Sequence, residues 1–128
     1  QHPAAPEQPP GALWATRGLE PDGWTRPGDP ARIRFYRPGR ASVTVRAPDD
    51  SPALYRIAVG DDERTGELEA GRERVVRFVL CEPSDIVLSG TSRARISEVQ
   101  LSPTVEGTRP VGVLIGPISA RPLRGAQC

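Results

Sequence analysis

Covalent and acid–base catalysis needs a nucleophile held beside a base, and this chain is poor in both. Its single histidine, His2, falls in a proline-rich stretch with no scaffold to hold it within hydrogen-bond reach of a serine or cysteine. All seventeen basic residues are arginine, so there is no lysine for a Schiff base or a phosphate loop, and no glycine run has phosphate-cradle spacing. Carboxylates remain. Asp22, Asp49, Asp50, Asp61, Asp62, Glu63, Glu67 and Glu69 could pair across a cleft as glycoside hydrolysis requires. Most of them fall at turns, however, where an aspartate side chain bonds its own backbone. Clustered loop oxygens leave calcium open as a ligand, but no loop spaces them as a calcium motif does. Two cysteines and one histidine, with no CxxC, make no zinc set. The expectation is a protein without catalytic machinery and without a resident cofactor.

Binding chemistry is better represented. The aromatic residues are Trp14, Trp24, Phe35, Tyr36, Tyr55 and Phe78. Phe35, Tyr55 and Phe78 match inward positions of strands, whereas Tyr36 is out of phase with Phe35 and points outward beside Arg34 and Arg32. An exposed tyrosine next to arginines can stack a sugar ring and hydrogen-bond its hydroxyls; it can equally be an ordinary surface residue. In Asp22-Gly23-Trp24 the glycine fixes a bend with an indole anchored beside an acid. The simpler reading of Trp24 is a plug at one end of the fold, the functional one a ligand contact. The candidate ligand-binding residues are therefore Asp22, Trp24, Tyr36 and Arg34.

The elements that must position them are strands. No window after Gly11 keeps a helical apolar period for three turns, and Pro and Gly recur too often for long helices. Ile33 and Phe35 alternate with arginines, and Pro38-Gly39 turns the chain. Val43 and Val45 repeat the alternation, as do Tyr55, Ile57 and Val59. Residues 64–69 read as a charge-protected edge strand. Arg74 to Leu80, apolar on both faces apart from Arg77, reads as a central strand. Asp85 to Ser89 follows and ends before Gly90. Residues 93–101 break alternation as a bulged strand would, Pro103 to Pro110 reads as a loop, and Val111 to Ile118 as the last strand. With a strand inside Trp14 to Trp24, about eight or nine antiparallel strands separated by frequent turns predict an all-β sandwich or jelly roll.

Residues 1–10 hold four prolines and read as a linker, leaving 11–128 as a single sandwich domain. A chain that opens on a linker and lacks methionine is expected to be a segment of a longer protein. Its formal charge of +1 is spread as alternating arginines and carboxylates, not the concentrated footprint nucleic acid requires. The longest apolar run, Val111 to Ile115, is far too short for a membrane span, so this segment is not expected to insert in a membrane. Cys81 and Cys128 are expected to form a disulfide in an exported protein, closing a loop of about 48 residues; two free thiols are the cytosolic alternative.

Taken together, Gly18-Leu19-Glu20-Pro21-Asp22-Gly23-Trp24-Thr25, the strand Ala31 to Tyr36, Tyr55, Cys81-Glu82-Pro83 and Arg109-Pro110-Val111-Gly112-Val113 form a pattern. It resembles the extracytoplasmic C-terminal domains of actinobacterial membrane glycosyltransferases and related cell-envelope polysaccharide proteins, which look like galactose-binding-type jelly rolls. The resemblance spans most of residues 18–118. It implies an extracytoplasmic location, a tether to a membrane parent and a cell-envelope glycan as partner, and it transfers no catalytic residue. Two functions are thus expected: a non-catalytic carbohydrate-binding accessory module, or a structural or protein-interaction sandwich with no glycan ligand.

Overall fold

The computed structural model describes residues 14–20, 22–98 and 107–122, and among these the chain is all-β. The expected linker 1–10, His2 and Cys128 lie outside the described residues. No helix in them is long and apolar enough to cross a membrane. The strands in order are β1 Trp14–Arg17, β2 Ala31–Phe35, β3 Gly39–Arg46, β4 Ala53–Val59 and β5 Asp62–Leu68. They continue as β6 Glu73–Leu80, β7 Ser84–Ser92, β8 Arg95–Glu98, β9 Gly107–Pro110 and β10 Leu114–Arg121.

These strands form a five-stranded sheet in the order β1-β2-β7-β4-β5, a three-stranded sheet β10-β3-β6 and a separate hairpin β8-β9, with every pairing antiparallel. Alternation explains how the two larger sheets pack. Ile33, Phe35, Ile57, Ile86 and Leu88 on one inner face meet Val43, Val45, Val76, Phe78 and Ile115 on the other in one buried cluster. Each large side chain removed from water contributes roughly 1.5–3 kcal/mol. A smaller cluster of Trp24, Ala94 and Val111 sits beside the core. The molecule is an antiparallel β-sandwich, as the strand pattern predicts.

Several strand expectations are corrected. Arg74 to Leu80 is not central: β6 is the edge of the three-stranded sheet, and Val75 and Val79 are 41% and 57% exposed. Gly90 does not end β7 but lies buried within it, because Val113 packs where a Cβ would stand, 2.7 Å from that position. Part of the expected loop Pro103 to Pro110 is β9, paired with β8. The first strand stops at Arg17, after which Gly18 takes a positive φ of 79° that L side chains rarely adopt. The expected edge strand, by contrast, is β5, at the end of the five-stranded sheet. There Gly66 lies beneath the Tyr55 ring, which an added Cβ would approach to 2.6 Å.

Candidate functional site

The structure sorts the four expected ligand residues into two pairs. Asp22 and Trp24 are together: an Asp22 carboxylate oxygen accepts the Trp24 amide at 3.3 Å, and the other accepts from the Arg109 guanidinium. The nearby exposed Arg26 is ion-paired to Glu20, and that hydrogen bond, then the carboxylate's charge, raises its pKa above the ordinary arginine value. Trp24 is only 8% exposed, packed on Ala94 and Val111 as a plug, and presents no ring face to solvent. Arg34 and Tyr36 are at the other end of β2. Tyr36 is 47% exposed, and Arg34 lies 3.4 Å from Asp85. Phe35 pairs with Ser84, while Gly28, following the Trp24 segment, bonds Gly90. Six residues of β7 therefore separate the two pairs, about 20 Å at the rise of a strand. No single surface holds all four.

A different set of residues converges. On the outer face of the three-stranded sheet, Arg121 stands opposite Arg40, and Ser119 opposite Ser42. On the other side of β3, Val79 stands opposite Arg40, and Arg77 opposite Ser42. Together with Arg64 and Phe78 they line a groove of about 510 Å³ that no carboxylate lines among the described residues.

Two local features put them there. In β10, Ile115 and Ile118 both face inward because the register shifts between them. Strict alternation from Ile115 would have sent Ser119 and Arg121 into the core; the extra residue reverses their phase and turns them out. Gly116-Pro117 is the sequence trace of that irregularity, since proline is tolerated within strands only at edges and bulges. At the far end, Gly39 allows β10 to approach, as a Cβ there would meet the Arg121 carbonyl oxygen at 2.3 Å.

The groove's polar groups differ in how far they are committed. Arg64 reaches from β5 to donate to the Arg77 carbonyl, bonds Asp62 at 3.2 Å, and holds its guanidinium carbon 4.2 Å from the centre of the Phe78 ring. It belongs to the fold. Arg40 is also engaged. The Arg77 and Arg121 guanidiniums form no ion pair among the described residues. Ser42 and Ser119 share a hydrogen bond, so one hydroxyl donates and the other keeps its own proton for a further acceptor. An anionic group over the serine pair would meet guanidinium donors on both sides and one hydroxyl donor beneath. Such charge-assisted bonds are about twice as strong as neutral ones.

Among the described residues no group of three His, Cys, Asp or Glu side chains could hold a metal ion. Cys81 is exposed at the end of β6 and is not a free thiol; because Cys128 is outside the described residues, the bridge between them remains a proposal. Sequence reasoning did not find the arginine groove, since its members come from four separated strands, β3, β5, β6 and β10. Comparison with known protein families, curated proteins and solved structures gives no match.

Proposed function

We propose that this domain is a non-catalytic, carbohydrate-binding accessory module of an exported or membrane-anchored cell-envelope protein, and that it takes an acidic saccharide on the outer face of β10-β3-β6. The carrying observation is that, among the described residues, Arg77 and Arg121 form no ion pair and flank the Ser42–Ser119 pair in a groove lined by no carboxylate. Guanidiniums select the anionic group, the hydroxyls orient it, and an open strand face accommodates a polymer. The volume, about 510 Å³, lies in the range of ligand sites.

Calorimetric titration of the chain with oligogalacturonate, against neutral arabinan, galactan and mannan oligosaccharides, tests this reading. The acidic ligand should bind, more weakly as salt rises, and the neutral ones should not. Each of Arg77→Ala and Arg121→Ala should weaken binding roughly 10- to 100-fold, the worth of a hydrogen bond to a charged group. Silence across every saccharide refutes the proposal, and so does a double variant that binds as well as the parent.

A second reading is a protein-docking sandwich with no glycan ligand, favoured by the exposure of Val75 and Val79 on β6. It predicts that Val75→Ser with Val79→Ser abolishes association with the rest of the parent protein and leaves saccharide titrations silent throughout.

A further inference from the structure

Where strands pair in this protein, most arginines stand opposite a neutral residue, and Arg34 and Arg46 stand opposite a carboxylate, Asp85 and Glu73. Arg56 reaches Glu63 at 2.7 Å. At two places arginine stands opposite arginine. One is Arg121 opposite Arg40 in the groove. The other is Arg17 opposite Arg32, on β1 and β2 at the edge of the five-stranded sheet. Cross-strand Cβ atoms stand roughly 4.5–5.5 Å apart, and like charges so placed destabilise a sheet.

Arg17 and Arg32 are exposed, and neither forms an ion pair among the described residues. Of the carboxylates on the same face, Asp85 is paired with Arg34 and Glu63 with Arg56, while Glu67 stands on β5 opposite Leu54, beyond the strands that carry Arg17 and Arg32. Beside Arg32 the row continues with Val87 and then Ala58, both short and half-buried, so the guanidiniums stand above a low floor. Arg34 and Tyr36 extend the face along β2. Buried Ile33 between Arg32 and Arg34 fixes all of these side chains on the side away from the core.

We propose that Arg17 and Arg32 form a second anion-binding position and that the domain is bivalent, holding an acidic polysaccharide on each of its two outer faces. The bivalency rests on the acidic-saccharide reading of the β10-β3-β6 groove. The positions lie on opposite sides of two packed sheets. Sheets stack about 10 Å apart and side chains add to that on both sides, so one anionic group cannot reach both. The domain therefore bridges two stretches of polymer.

The test uses a short and a long probe. Titration with tri-galacturonate should give two sites for the wild type and one for Arg17→Ser with Arg32→Ser. Arg77→Ser with Arg121→Ser should also give one. Mixed with long polygalacturonate, the wild type should form a network read as turbidity, while each face variant binds without networking. Folding is controlled by the melting temperature, which the Arg17 and Arg32 replacements should leave unchanged or raise by relieving repulsion. A wild-type stoichiometry of one, unaffected by changing Arg17 and Arg32, overturns the second site and leaves the proposed function standing. Two sites of which neither responds to Arg77 and Arg121 overturns the groove instead, and complete silence removes both.

Discussion

Thr25→Val removes one atom's chemistry from a closed site and keeps its shape. Thr25 is wholly buried. Its amide donates to the Val113 carbonyl at 2.9 Å, its carbonyl accepts the Gly112 amide at 2.9 Å, and its hydroxyl oxygen accepts the Val113 amide at 3.0 Å. These bonds, with Ile115 to Gly23 at 3.0 Å and the Trp24–Leu114 bridge, fasten the Asp22–Trp24 segment to the start of β10. Valine leaves the two backbone bonds in place but strands the Val113 N–H, at a residue with no exposed surface. An unsatisfied buried donor costs about 1–3 kcal/mol. For a chain of this size each kcal/mol shifts the melting temperature by roughly 4 °C, so a fall of ~4–12 °C is expected. Thermal unfolding followed by far-UV circular dichroism and tryptophan emission measures it, and hydrogen exchange at the Val113 amide gives the local readout. A melting temperature within about 1 °C of the parent, with Val113 still protected, would refute the reasoning, for it would make the methyl as good as the hydroxyl.

Arg64→Ala should lower stability by about 1 kcal/mol, the order of an exposed cation–π contact, and should uncover the β6 edge beside Val75 and Val79. Sedimentation velocity should then show concentration-dependent association, and a monomer at every concentration would count against the edge-covering role. The proposed Cys81–Cys128 bridge should leave the intact mass unchanged on alkylation without reductant. Two alkylated thiols would show it wrong, whereas a confirmed bridge is expected to contribute ~4 kcal/mol by the chain-entropy argument.

What the sequence made legible was local. Period-two alternation placed Ile33, Phe35, Val43, Val45, Tyr55 and Ile57 on inner faces, because each strand's pattern reports its own burial. It also marked Tyr36 as outward. What it missed depends on partners distant in the chain. Val75 and Val79 looked like the second face of a central strand, but an edge strand of a small sheet can leave valines in water without changing its own pattern. The phase reversal in β10 could be suspected from Gly116-Pro117, yet only its pairing with β3 reveals that Ser119 and Arg121 come out beside Ser42 and Arg40. Asp22 and Tyr36 are candidates on two local signals, the Asp22-Gly23-Trp24 bend and the phase of Tyr36 against Phe35, and neither signal reports that β2 keeps their surroundings apart.

Beside the arginines of this lysine-free chain that pair with carboxylates, two further groups differ in geometry. Along the side where β5 passes directly into β6, crossing from one sheet to the other, arginines stitch the gap. Arg64 reaches the Arg77 carbonyl and the Phe78 ring, and Arg74 donates to the Tyr55 hydroxyl at 3.0 Å with its guanidinium carbon 5.8 Å from that ring's centre. These contacts use the planar fork, which a lysine cannot reproduce. On the outer faces, Arg17, Arg32, Arg77 and Arg121 point outward without an ion pair among the described residues, and there only the positive charge has an evident use. Opposed guanidiniums on a sheet carry a local cost that opposite charges elsewhere on the same sheets avoid. A ligand anion would offset that cost, and the two Arg–Arg pairings, more than the nearly neutral whole, are what supports the proposal of an acidic partner.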